Sequence, residues 1–168
     1  MVETYFPILF NLLRGLDKAM TSELTDSANS VGLTVTELNF IWIIFSEGEP
    51  TVSRISELTL LDESTVTQVL TRLKKKKFVT SFKKPDDTRF SYIKLTDIGE
   101  EKRKLLMLNN EFTFLAYLQK ELESPEGKEN IKASIEFLKK VNLRYNGEEF
   151  VSWVYSLPEK IKKDLTEL

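Results

Sequence analysis

The 168 residues carry 24 Lys/Arg against 26 Asp/Glu, a formal net charge of −2, with 41% hydrophobic and 30% charged residues. That balance suits one globular domain with helical extensions and supplies enough apolar mass for a core. Cysteine and histidine are both absent, which excludes disulfides, thiol nucleophiles, thiolate or imidazole metal sites and histidine acid–base chemistry; no acid pair or glycine-rich phosphate cradle stands out either, so no enzyme, cofactor or metal is expected.

Residues 4–30 are predicted as a helix, with Ile8, Leu12, Leu16, Ala19 and Met20 at about i, i+4 spacing and Gly32 closing it. The N-terminus has an acid at position 3 and no basic region, and the longest apolar run, FIWIIF at 40–45, is far short of a membrane span. A cytoplasmic chain with no membrane partner is expected. Thr34 or Thr36 can cap a second helix, whose apolar face is Leu38, Ile41, Trp42 and Phe45 and which Gly48 and Pro50 stop. Next come a strand-like Thr51–Val52, a short helix from Ser53 to Leu60, a tight turn near Leu61 and a helix from Asp62 to Lys76. Two helices joined by so short a turn are a helix-turn-helix candidate.

A hairpin follows: strand Val79–Lys84, turn PDDT, strand Arg89–Leu95. Pro85 presets a turn φ and the aspartates favour turn geometry; Phe90, Tyr92, Ile93 and Leu95 are expected to anchor the return strand. Thr96 can cap a long helix from Asp97 to Glu123. SPEG at 124–127 breaks it, Lys128–Asn142 is helical again, YNG at 145–147 turns, and two short helices, Glu148–Ser156 and Glu159–Leu168, are split by Pro158. A hairpin directly after a helix-turn-helix is a wing, so the expected class is mainly α (α+β).

Charge is unevenly spread: −5 over residues 1–50 (2 Lys/Arg, 7 Asp/Glu), +4 over 51–99 (10 and 6) and −1 over 100–168 (12 and 13). A basic middle third is a candidate footprint for phosphate. On a helical wheel of Asp62–Lys76, Val66, Val69, Leu70 and Leu73 form a buried stripe. The opposite face holds Ser64, Gln68, Thr71, Arg72 and Lys75, flanked by Thr65 and Thr67. A plain solvated face would favour Glu and Lys for propensity; hydrogen-bonding side chains here suit base edges, Gln68 for adenine and Arg72 for guanine. Lys74–Lys77 complement the helix dipole and are also placed for phosphates.

STVTQVLTRLKKKKFV followed by KKPDDTRFSYIKLTDIG resembles the MarR family of winged helix-turn-helix regulators. The resemblance rests on Ser64-Thr65-Val66-Thr67, Leu70, Arg72-Leu73, Asp87-x-Arg89 and Leu95-Thr96-x-x-Gly99, covers about 51–99, and in the tail RYNGEEFVSWV extends to the Hpr branch. One departure is Lys77, where the family ends the recognition helix with glycine; a left-handed residue there would cost roughly 1 kcal/mol more than glycine, and the helix can end in another way.

The resemblance implies an N-terminal dimerisation helix (1–33), a winged DNA-binding domain (34–99) and a C-terminal helical dimerisation region (100–168), in a homodimer whose recognition helices enter successive major grooves of double-stranded DNA. Ser64, Thr65, Thr67, Gln68, Thr71 and Arg72 would then face the groove, Lys75, Lys76 and Lys84 would meet phosphate, and Arg89, aimed by Asp87, would enter the minor groove from the wing. Phe6, Leu9, Phe10, Leu13, Phe150, Trp153, Val154 and Leu157 are the dimerisation candidates; the same residues folding back on their own core is the alternative. Trp42, Tyr5 and nearby phenylalanines could line a cleft for a small effector of unknown identity, or be plain core. A winged helix that binds protein rather than DNA also remains open.

Overall fold

The computed structural model describes residues 1–108 and 112–166; residues 109–111 of the predicted long helix and 167–168 of the last one lie outside these. The described elements are α1 Val2–Ser30, α2 Val35–Glu47, α3 Val52–Thr59, α4 Glu63–Lys75, β1 Val79–Lys84, β2 Asp87–Leu95, α5 Asp97–Leu108, α6 Thr113–Glu121, α7 Pro125–Tyr145 and α8 Gly147–Thr166. The two strands pair antiparallel as a hairpin, and Thr51 forms an isolated bridge to Tyr92 beside it.

Local chemistry sets the boundaries. Thr34 starts α2 with a capping box: its hydroxyl accepts from Glu37 N at 3.2 Å, and Glu37 Oε2 accepts from Thr34 N at 2.9 Å. Thr51 caps α3 and Asp62 caps α4 by accepting from the backbone N–H three residues on. Between them Leu60 takes the left-handed conformation at φ +58° and makes the turn. The core gathers on α2, whose Phe40, Ile41, Ile43 and Ile44 are fully buried; Ile55 of α3 and Val66, Val69, Leu70 and Leu73 of α4 close over it. Each such side chain contributes about 1.5–3 kcal/mol by leaving water.

Lys77 does adopt the left-handed conformation, at φ +61°. The chain reverses there, with Lys77 N donating to Lys74 O at 2.9 Å and Phe78 N to Leu73 O at 3.0 Å. Lys77→Gly should therefore raise stability by about 1 kcal/mol, read as a higher urea midpoint at unchanged slope.

Three expectations are corrected. The helix predicted over 97–123 is two helices: α5 ends at Leu108, and α6 begins after Phe112, whose φ of −75° and ψ of 120° are extended. At the start of α6, Glu23 of α1 accepts from the Thr113 hydroxyl and from Phe114 N, capping that helix from outside. SPEG does break the chain, but Ser124 caps α7 by accepting from Gly127 N at 2.9 Å, so that helix starts at Pro125 rather than Lys128. Last, α8 runs unbroken through Pro158. A proline in a helix interior costs about 3 kcal/mol, and α8 tolerates it because contacts with the rest of the fold hold it on both sides. Arg54 reaches Glu149 at 3.2 Å and Trp153 Nε1 donates to Ser46 Oγ at 3.0 Å; beyond the proline, Lys160 Nζ donates to Glu47 at 3.2 Å and Asp164 accepts from Arg103. Residues 149, 153, 160 and 164 share one face of a helix.

Candidate nucleic-acid interface

The α4 stripe Val66, Val69, Leu70 and Leu73 is buried as predicted, leaving Ser64, Thr67, Gln68, Thr71, Arg72 and Lys75 exposed and Thr65 half-buried. The hydroxyls already donate within the helix: Ser64 to Asp62 Oδ1 at 2.5 Å, Thr65 to Asp62 Oδ2 at 2.7 Å, Thr67 to Glu63 O and Thr71 to Thr67 O at 2.8 Å each. What they offer outward is their acceptor lone pairs and, for the threonines, methyl groups. The hydroxyl of Ser64, then the amide and hydroxyl of Thr65, hold the Asp62 carboxyl far below its ordinary range, so the cap is ionised.

At the other end of α4 the structure reassigns Lys76. Its ammonium does not stand out toward phosphate; it donates to Glu37 Oε2 and to Gly32 O, at 2.8 Å each. Glu37 is 1% exposed. Burial pushes its carboxyl up, but the Lys76 ammonium and the amide and hydroxyl of Thr34 outweigh burial and hold it below its usual value. A buried carboxylate needs such a partner, so Lys76 serves the fold. Arg72 approaches the same carboxylate, its Nε 3.8 Å from Oε1, while its side chain stays half exposed. Glu37 was missed as part of the site, although the T-x-x-E spacing of Thr34 and Glu37 is a capping-box signature.

The wing keeps β1 as predicted, but β2 begins at Asp87, inside the predicted PDDT turn, and carries one large irregularity. Lys84 pairs with Asp87 and Phe82 with Tyr92, so Thr88–Ser91 bulge from β2 opposite the single residue Lys83. The bulge carries Arg89 out to 80% exposure. Asp87 and Arg89 do pair: Nε donates to Oδ1 at 3.1 Å, the Arg89 amide reaches the same oxygen at 3.3 Å, and the guanidinium holds the Asp87 carboxyl below its usual range. Phe90 does not anchor the strand as expected; it is 46% exposed, with the Arg89 guanidinium 5.5 Å from its ring centroid. Lys84, at the turn end of β1, is drawn to Glu49 at 3.1 Å and lies 4.3 Å over the Tyr92 ring. Lys74, first of the lysine run, braces helix to wing by donating to Ser81 Oγ at 2.9 Å.

A recognition helix braced to a wing that carries one extended arginine is thus in place, and residues 33–90 match the MarR family. The chain carries a MarR-family domain. It is 29% identical over 69 residues to the HTH-type transcriptional repressor IacR of Pseudomonas putida, a match that spans 41% of each chain, so this chain covers about two fifths of that relative's length. It is 26% identical over 156 residues to the HTH-type transcriptional regulator Hpr of Geobacillus thermodenitrificans, covering 93% of this chain and 78% of that one. The fold is shared with a crystal structure of an E. coli MarR mutant complexed with operator DNA (TM-score 0.69, 17% identity, 82% of this chain and 97% of that one) and with a MarR-like regulator from Bacillus cereus (TM-score 0.65, 19% identity, 82% and 97%).

The MarR match runs from Leu33 through α2, α3, α4 and β1 to Phe90, and so contains every residue predicted to contact DNA. Outside it, α1 presents Phe6, Leu9, Phe10 and Leu13 at 41–64% exposure. In α8, Phe150 and Leu157 are half-buried and Val154 is 38% exposed. Trp153 is the exception among the dimerisation candidates: it packs on the MarR domain's own core and bonds to Ser46. Phe150, Trp153, Val154 and Leu157 are spaced i, i+3, i+4 and i+7 and so share one side of α8. Trp42 stacks edge-on with Phe45 at 5.8 Å and meets the buried Arg103 guanidinium, whereas Tyr5 stands 66% exposed on α1. Among the described residues, one cavity lies between α1 and α6 around Met20, Leu24 and Phe114 and another between α7 and α8 around Leu138, Phe150 and Val154.

Proposed function

We propose that the chain is a sequence-specific, double-stranded-DNA-binding transcriptional regulator that acts in the cytoplasm as a homodimer on a pseudo-palindromic operator. The observation that carries this reading is the pairing of an exposed, hydrogen-bonding α4 face with a wing arginine held by Asp87 and left 80% exposed. Gln68 and Arg72 read base edges, Ser64, Thr65, Thr67 and Thr71 line the groove with acceptors and methyls, and Lys75 meets phosphate. Arg89 enters the adjacent minor groove, whose narrow stretches attract a well-placed arginine.

The exposed apolar row along α1, together with exposed Ile135, Phe137 and Leu138 of α7, is more apolar surface than an isolated chain would leave in water and supports the homodimer. Two recognition helices then meet half-sites roughly 34 Å apart. Repression is the sign that the IacR name carries, and we adopt it for this chain. Among the described residues no single helix is long and apolar enough to cross a membrane.

Arg89→Ala should weaken operator binding by about 1–3 kcal/mol, about 5- to 150-fold in Kd, with little change in thermal midpoint because the Asp87 pair is exposed. Asp87→Ala should weaken binding as well, although it removes a negative charge, because the arginine loses its direction. Gel-shift titration decides both: unchanged affinity for Arg89→Ala removes the wing from the interface, and tighter binding by Asp87→Ala shows that simple repulsion outweighed aiming.

A further inference from the structure

Glu37 offers its two oxygens to different tasks. Oε2 is saturated by the Thr34 amide at 2.9 Å and the Lys76 ammonium at 2.8 Å, and Lys76 is itself fixed by Gly32 O. Oε1 faces Arg72 Nε at 3.8 Å. The carboxylate sits in a capping box at 1% exposure, so it has nowhere to turn. One cation already neutralises it, and the approach of a second, half-exposed cation from the outer face of α4 is not needed for that purpose. Its effect falls on Arg72, whose long side chain loses rotamer freedom before any partner arrives. With Nε turned to Glu37, the two terminal nitrogens are left as the free fork, the geometry that matches guanine O6 and N7.

We infer that Glu37 is a positioning residue for base reading: from beneath α4 it aims the Arg72 fork at a guanine in the major groove. The inference rests on the DNA-binding function proposed above. It makes the floor of the recognition helix, not only its outer face, a determinant of which operator is bound.

The test compares selected-duplex profiles of the full chain, Arg72→Ala, Glu37→Gln and the double variant, each confirmed as folded by circular dichroism. Arg72→Ala identifies the guanine position. Glu37→Gln should lose about tenfold of the preference there, approaching the Arg72→Ala profile. Affinity for random duplex at the same salt should stay within about twofold, since no phosphate contact is removed. The double variant should match Arg72→Ala. An unchanged guanine preference in folded Glu37→Gln, or losses that simply add in the double variant, overturns the inference while leaving the DNA-binding reading intact. If Glu37→Gln does not fold, Lys76→Gln leaves the carboxylate with Arg72 as its cation and should alter the preference at that same position; an unaltered profile overturns the inference. If the unmodified chain selects no sequence, or Arg72→Ala leaves the profile as it was, the groove reading itself fails and this inference with it.

Discussion

Asp164→Ala is expected to cost about 3 kcal/mol of stability, the lower end of the range for breaking a buried ion pair. Arg103 is the reason. Its side chain is 1% exposed, lies 3.7 Å from the Phe45 ring centroid and 5.7 Å from that of Trp42, and is bound by both Asp164 oxygens, at 2.6 and 2.8 Å. Burial lowers the affinity of the guanidinium for its proton, but the Asp164 and Glu100 carboxylates outweigh burial and the charge is held firmly. Removing Asp164 strands that charge with Glu100, which is 39% exposed and bonded only to Nε, at 2.8 Å. The surviving Glu100 bond places the expected loss at the lower end. Urea unfolding followed by circular dichroism measures it as a fall in midpoint at constant slope. A loss below about 1 kcal/mol would mean that the pair is effectively solvated and that α8 is not tied down at its C-terminal end.

Gly99→Ala is expected to be comparably damaging, by about 3 kcal/mol, at the upper end for overpacking. A Cβ on Gly99 would lie 2.1 Å from the Phe78 backbone oxygen, and backbone cannot swing aside as a flexible side chain can. The approach is close because the first turn of α5 is latched to the end of the recognition helix. Thr96 N donates to Phe78 O at 3.0 Å, the Thr96 hydroxyl donates to Lys77 O at 2.6 Å, and the same hydroxyl accepts from Gly99 N at 3.1 Å. The spacing Leu95-Thr96-x-x-Gly99 is thus a mechanical latch that sets where α4 ends and the wing begins. The variant should lose DNA affinity as well as stability. The midpoint in urea and a gel-shift titration report the two losses, and a stable variant with full affinity would show that the latch is slack.

What the sequence disclosed and what it withheld divide along a physical line. The wing strands, the Asp62 and Thr96 caps, the α4 stripe and the Asp87–Arg89 pair were legible because each is a local pattern of turn, cap or periodicity. Lys76 misled because a lysine run at a helix end looks solvated; only the fold brings Glu37, 39 residues earlier, to meet it. The bond of Trp153 to Ser46, 107 residues away, was likewise not legible. Phe90 reads as a strand anchor under strict alternation, and the four-residue bulge moves it off the ladder. Pro158 reads as a helix stop, and tertiary contacts on both sides overrule it. The start of α6 is held by a carboxylate from α1, Glu23, that lies outside residues 97–123.

In vitro selection of duplexes by the purified full chain, followed by a salt titration of the winner, tests the central claim most directly. The expected result is a pseudo-palindromic consensus with half-sites about one helical turn apart, and an affinity that falls by about a thousandfold between 50 and 200 mM salt if about six phosphates are neutralised. Enrichment of no sequence, together with binding that is absent at low salt or indifferent to salt, would contradict it and leave the winged helix as a protein-binding module.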